Sequence, residues 1–245
     1  NALQHVDLSI TPMDVMFDLL DSGKGYRGAN VRIFKKQIDA DFNYYLDLKD
    51  GWQRPIQDLA VQLGLNEANL ERIAIHAYKV QPKGVNYLLN SGLTQQQIDA
   101  VRLTPNELRW YTEARRVMEQ PYPQVQDWLR VNANRAIEKV PNYWPVQTDF
   151  EKMSEVEVSE RLGDALEGFG RQKNSEQGFT LRRVGGKQPI RLNAMDTFVR
   201  HMDDVAYLLA AGRDIRMLAE IARSPQYAES AGELGQKIVL DWTDT

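Results

Sequence analysis

Along most of the chain, apolar residues return every three or four positions, which is the period of a helix with one buried face. Thr11-Pro12, a cap followed by proline at the first helical position, opens a short run through Met13, Met16, Phe17 and Leu20 that ends at Gly23. Lys24 to Gly28 is a glycine-rich loop. From Asn30, the residues Val31, Phe34, Ile38, Phe42 and Tyr45 place one stripe on a helix of about five turns, which Asp50-Gly51 is expected to end. Trp52, Ile56, Leu59, Ala60 and Leu63 then form a second amphipathic helix with Gly64 as its C-cap. Asn66 caps the next, which carries Leu70, Ile73, Ala74 and Ala77.

The same grammar continues. Thr94-Gln95-Gln96-Gln97 and Thr104-Pro105-Asn106-Glu107 both read as capping boxes, in which a hydroxyl accepts from the third backbone N–H and the Gln or Glu reaches back. The second opens a helix through Leu108, Tyr111, Ala114 and Met118, broken by Pro121-Tyr122-Pro123. A helix through Val125, Trp128, Leu129, Asn132, Arg135 and Ala136 follows and ends before Pro141. Residues 142–149 are aromatic, flanked by proline and extended by preference. Ser154-Glu155-Val156-Glu157 is a third capping box, ahead of Val158, Leu162, Leu166 and Phe169. Phe179 to Val184, Gly185-Gly186 and Pro189 to Leu192 read as a β-hairpin or two β-arms. Asn193 caps a last strong helix through Met195, Phe198, Val199, Met202, Val205, Ala206 and Leu209, with Gly212 beyond it; Ile215, Leu218, Ala219 and Ile221 make a shorter helix that Pro225 stops. The fold class is therefore mainly α: a multi-helix, bundle-like domain with one small β-hairpin or β-arm near 179–192. Its parts are a helical region at 1–141, an extended aromatic segment with a helix and the β-arm at 142–192, and C-terminal helices at 193–245, packed together as one domain. Trp52, Trp110, Trp128 and Trp144 are the expected anchors of its core.

Composition narrows the functions. At 245 residues, with 42% hydrophobic and 26% charged residues, the chain can bury a real core. The absence of cysteine excludes disulfides, a thiol nucleophile and Cys-ligated metal. No stretch approaches the length of an uncharged membrane span. His5, His76 and His201 are far apart, so a histidine-rich metal site is not expected, and no cofactor motif appears. The net charge of −4 argues against a surface that binds duplex DNA over its whole extent. The ends, which lack an initiator Met and a charged-then-apolar leader and stop soon after Ile238-Val239-Leu240, lead to the expectation of a piece of a longer polypeptide, or of a processed chain.

Candidate chemistry is sparse. His201, in Arg200-His201-Met202-Asp203-Asp204, invites a general-base or metal reading. Positions two and three residues on along a helix do not converge on it, so a hydrogen-bonded group at the edge of the core is the expectation, as it is for His76. Glu155, Glu157 and Glu160 are read as first-turn dipole and capping chemistry rather than a glycosidase pair. Gly23 to Gly28 fits no phosphate loop, and no serine has a nucleophile-elbow setting. Ser91 to Met118 resembles a helix-turn-helix, but its second helix opens without positive charge, so packing is preferred. The exception is local charge. Arg171, Lys173, Arg182, Arg183, Lys187 and Arg191 face a single negative, Glu176, giving +5 and leaving −9 on the rest of the chain. Such an arm is suited to phosphates or to an acidic protein partner. Tyr143, Trp144 and Phe179 offer stacking faces beside it, with core packing as the preferred role.

Residues 142–245 resemble a segment of very large bacteriophage and prophage proteins of the polyvalent or internal-virion, genome-ejection type. The matching elements are Tyr143-Trp144-Pro145 ahead of a helix, then Gly178-Phe179-Thr180-Leu181-Arg182-Arg183-Val184-Gly185-Gly186, Pro189-Ile190, a helix with Arg200-His201-Met202-Asp203-Asp204-Val205, and a closing tryptophan, Trp242. None of the enzymatic modules usual in such giants is visible. The resemblance therefore implies a non-enzymatic structural or interaction domain of a virion protein, located in the virion or, after delivery, in the bacterial host cytoplasm. Its partners would be other segments or copies of the large protein, and DNA through the basic arm. The alternatives are a nucleic-acid-binding module using residues 171–191, and an enzyme whose site is completed by residues outside this chain.

Overall fold

A computed structural model describes residues 18, 25, 29–134, 136–147, 190–225, 227, 229, 232, 236, 237 and 240. Seven helices are defined among them: α1 (Ala29–Gln62), α2 (Glu67–Val80), α3 (Gly84–Asn90), α4 (Gln95–Ala100), α5 (Pro105–Glu119), α6 (Tyr122–Ala133) and α7 (Ala194–Ala222). The molecule is mainly α, as the periodicity requires. The expected hairpin at 179–189, the capping box at Ser154 with Glu155, Glu157 and Glu160, the first helix apart from Asp18, and His5 lie outside the described residues. Ile190 makes one isolated bridge, and Arg191 to Asn193 have no regular structure.

The caps fall where the side chains place them. Asn66 and Asn69 form a reciprocal box at the start of α2, and Thr94 with Gln97 and Thr104 with Glu107 do the same for α4 and α5. The Asn193 carboxamide accepts from the Asp196 N–H at 3.1 Å and opens α7. Gly64, at φ 65°, closes α1: its N–H reaches Val61 and the Leu65 N–H reaches Ala60, a Schellman pattern with both Ala60 and Leu65 packed on the core. A short helix that the hydrophobic pattern misses, α3, is entered through Lys83 at φ 65° and Gly84. A Cβ on Gly84 would lie 1.8 Å from the Tyr78 carbonyl oxygen, so only glycine fits.

Three boundaries differ from the sequence reading. Gly51 does not end a helix; α1 runs through it and through Pro55. Gly51 is less favourable than alanine by about 1 kcal/mol, and Pro55 cannot donate to the Gly51 carbonyl. Contacts to α7 bracket the weak point: Lys49 pairs with Asp203 at 2.8 Å, and Gln53 donates to the Val199 carbonyl at 2.9 Å. Gly212 likewise lies inside α7 rather than beyond it. A Cβ there would be 2.9 Å from Cζ2 of Trp128, so the glycine admits the indole instead of ending the helix. Finally, α6 stops at Ala133 because Asn134 turns left-handed at φ 49°, leaving Ala136 outside it. The outgoing chain is tied back by Tyr122 to the Ile137 carbonyl (3.0 Å) and by the Ile137 N–H to Gln126 (3.1 Å).

The principal core gathers Ile56, Ile73, Tyr78, Leu88, Ile98, Trp110, Trp144, Ile190, Phe198 and Met202. Trp110 and Trp144 are fully buried; Trp52 packs against its border, and Trp52 and Trp128 both pack against a second cluster of Val125, Leu129, Val205 and Leu208. The Trp110 indole donates to the Ile56 carbonyl at 3.0 Å and meets Phe198 edge-on at 6.3 Å. Residues 143–147 run without helix along α2: the Trp144 N–H donates to Gln81 at 2.6 Å, and Tyr78 donates to the Pro145 carbonyl at 2.8 Å. The Arg191 N–H then joins the Gln147 carbonyl at 2.9 Å.

The two helix-interior glycines predict opposite effects in chemical denaturation. Gly51 is exposed with nothing near its Cβ direction, so Gly51→Ala gains about 0.5–1 kcal/mol. Gly212→Ala loses about 1–3 kcal/mol by displacing Trp128.

Candidate functional site

Of the six cations in the proposed basic arm, Arg191 is described, and Arg171, Lys173, Arg182, Arg183 and Lys187 lie outside the described residues. Arg191 is mostly buried and its guanidinium pairs with Asp196, in the first turn of α7, at 2.9 Å. Together with its backbone bond to Gln147, this makes Arg191 a fastener between the extended segment and α7. Trp144 has no exposed face, in agreement with core packing, and Phe179 is outside the described residues. Tyr143 is half-buried, with its ring 5.6 Å from His201.

His201 is buried at 6% exposure on the inner face of α7. Burial lowers its pKa to about 4, so at neutral pH it is an uncharged imidazole and a poor proton acceptor. Its two acidic neighbours have other surroundings. Asp203 turns to α1, accepting from the Tyr45 hydroxyl at 2.7 Å and from Lys49 at 2.8 Å. Asp204 is raised to about 6 by burial and by the charge of Asp203. His76 packs edge-on to Tyr111 at 5.2 Å and is lowered by burial and by Lys79.

His201 and Tyr143 line a hollow of about 120 Å³ between α5, α6, residues 137–143 and α7. Its walls are Met118, Pro121, Tyr122, Val125, Ile137, Val140 and Val205. At its rim Glu119 receives Arg115 at 2.6 Å and Lys139 at 3.4 Å, and the Lys139 ammonium lies over the Tyr122 ring at 5.8 Å. Burial pushes the Tyr143 phenol up, with Asp204 adding to it, so neither Tyr143 nor His201 carries charge at neutral pH, and the charges on the hollow belong to Arg115, Glu119, Glu138 and Lys139. A wider, shallower groove of about 820 Å³ runs between α1 and α5, past Pro55, Leu59, Leu108 and Arg109.

A Tyr–Lys–Asp cluster, unforeseen in the sequence, joins α1 to α7. Lys49 donates to the Tyr45 hydroxyl at 3.1 Å while both bond Asp203. A phenol used as an acid or nucleophile has its pKa lowered; Tyr45 is raised, by burial and then by Asp203. The cluster therefore holds its protons and binds the helices. The four-residue step from Tyr45 to Lys49 is visible in the sequence; the carboxylate 158 positions from Tyr45 is not. Among the described residues, no three His, Asp or Glu side chains gather as metal ligands, and no helix is long and apolar enough to cross a membrane.

The chain matches no family model, no curated protein and no solved structure.

His201 gives a signed pH prediction. Its folded pKa, about 4, lies below the ordinary value of 6.5, so the unfolded chain binds the extra proton in between. This contribution is complete above pH 6.5 and is lost as pH falls towards 4, by up to ~3 kcal/mol. Asp204, raised to about 6, acts in the opposite sense, losing its contribution as pH rises through 6. In urea denaturation at pH 4.5 and 7.5, His201→Leu is expected to lose less stability on acidification than the parent. An equal loss in both proteins overturns the buried neutral state.

Proposed function

We propose that this chain is a non-enzymatic, helical structural and interaction domain of a large phage-encoded virion protein, carried in the particle and associated with genome packaging or ejection. The supporting observation is what the residues of the phage-like block do where they are described. Trp144 fills the core, the Pro145 carbonyl accepts from Tyr78, Ile190 is fully buried, and Asp203 joins α7 to α1. These residues assemble a helical body rather than converge on a reacting group. Partners in this reading are other segments or copies of the parent protein, in the virion and later in the host cytoplasm.

A second reading, nucleic-acid binding through Arg171, Lys173, Arg182, Arg183, Lys187 and Arg191, is favoured by the local charge of +5 on an acidic chain. Salt separates the two, because phosphate binding weakens steeply with ionic strength. Titration against labelled single- and double-stranded DNA at low and physiological salt is expected to show no binding that depends on Arg182 and Arg183. Salt-sensitive binding lost in Arg182→Ala/Arg183→Ala makes the domain a nucleic-acid module instead. Mass spectrometry of purified particles of the encoding phage tests the virion assignment directly: peptides of this domain are expected, and their absence overturns it.

A further inference from the structure

The hollow between α5, α6, residues 137–143 and α7 is held open by the chain that walls it. Asn134 ends α6 left-handed at φ 49°, and Asn142, at φ 52°, turns the chain again before Trp144 enters the core. The wall between those turns is tied near both ends. At one, the Tyr122 hydroxyl donates to the Ile137 carbonyl at 3.0 Å and the Ile137 N–H donates to Gln126 at 3.1 Å. At the other, Asn142 donates to the Val80 carbonyl and accepts from Arg115, both at 3.3 Å. The wall cannot settle onto His201 and Val205 of α7 without breaking these bonds, so a space of about 120 Å³ stays between them.

Its lining favours one kind of guest. Met118, Val125, Val140 and Val205 make it apolar, and the rings of Tyr122, Tyr143 and His201 border it. The Tyr143 and His201 rings are 5.6 Å apart and inclined at 58°. Rings favour edge-to-face and offset contacts with other rings at about 4.5–7 Å, and a thioether favours a ring edge, so an aromatic guest is preferred to an aliphatic one of equal size. An apolar cavity of roughly 150 Å³ accepts benzene, which limits this space to a single six-membered ring. The Tyr143 hydroxyl, unlike those of Tyr45, Tyr78 and Tyr122, has no hydrogen-bond partner among the described residues, so it is available to one polar substituent on that ring.

Charge narrows the class further. The rim carries Arg115, Lys139, Glu119 and Glu138, two of each sign, and Glu119 already holds both cations, at 2.6 and 3.4 Å. An anion would have to displace Glu119 and pass Glu138; a cation would meet Arg115 and Lys139. Inside, burial keeps Tyr143 and His201 uncharged at neutral pH, so an ion taken in loses its water without gaining a counter-charge.

We propose that this hollow is a binding site for a small uncharged aromatic molecule of one ring, seated against Met118, Val140 and Val205 with a hydroxyl or carbonyl substituent on the Tyr143 hydroxyl. The site does not depend on the virion assignment.

Titration of the whole chain with phenol at neutral pH, followed by the methyl signals of Met118, Val125, Ile137, Val140 and Val205 in ¹H–¹³C spectra, tests it. Ring-current shifts centred on these methyls are expected to saturate with a dissociation constant of about 1 mM or below, an affinity within reach of so small a ligand. Cyclohexanol is expected to bind about five-fold more weakly, and benzoate about ten-fold or more. Tyr143→Phe keeps the ring and loses the hydroxyl, so phenol is expected to weaken by about five-fold while toluene binds as in the parent. Val140 is half-buried, and Val140→Phe fills the hollow and is expected to abolish binding, with circular dichroism confirming that the variant is folded. No saturable shift up to about 10 mM phenol overturns the site. Equal binding of cyclohexanol, tighter binding of benzoate, or undiminished binding by folded Val140→Phe overturns it equally.

Discussion

Everything in this molecule depends on α7 covering Trp110. An indole is too large and too polar to bury casually: its surface of about 200 Å² is worth roughly 5 kcal/mol once removed from water, but its N–H must keep a partner. Here α1 supplies the partner, the Ile56 carbonyl, and α7 supplies the cover, Phe198. With that contact made, the adjoining turn of α7 places Met202 in the same core and Asn193 and Asp196 at its entrance, where Arg191 brings in the extended segment through the Gln147 carbonyl. Since domains are stable by only about 5–15 kcal/mol, losing one such ring is a large share of the whole.

Charge is distributed to serve that packing. Glu107 is fully buried, yet its pKa is lowered: burial pushes it up, and hydrogen bonds from Thr104, Arg72 and Asn69 outweigh it. A residue whose local task is to box the start of α5 thereby becomes the joint between α2 and α5. Along α7, the buried imidazole of His201 and the raised carboxyl of Asp204 give stability opposite slopes with pH, so mild acid acts on this helix through two competing groups.

What the sequence could disclose was local. The boxes at Thr94 and Thr104, the caps at Asn66 and Asn193 and the stop at Gly64 were legible because each is made by residues three or four positions apart. Gly51 and Gly212 misled for a complementary reason. Both are ordinary helix breakers by propensity, and both are overruled by a neighbour distant in sequence: Val199 and Asp203 flank the first, and Trp128 lies against the second. The Tyr45–Lys49–Asp203 contact between α1 and α7 was half visible, as a four-residue step on α1, but the opposing carboxylate could not be assigned before the two helices were placed together. Arg191, read as part of a basic arm, is instead paired with a carboxylate five residues on, which composition alone cannot distinguish from a free cation.

The tryptophans, ion pairs and polar contacts of this domain serve the joining of helices, and α7 unites α1, α2, α5 and residues 143–147 in one cooperative body. The most direct test is urea unfolding of Phe198→Ala, followed by tryptophan fluorescence and by far-UV circular dichroism. A single coincident transition, destabilised by about 3–5 kcal/mol in both signals, is the predicted result. An unchanged midpoint, or fluorescence lost well before the helices melt, contradicts the account.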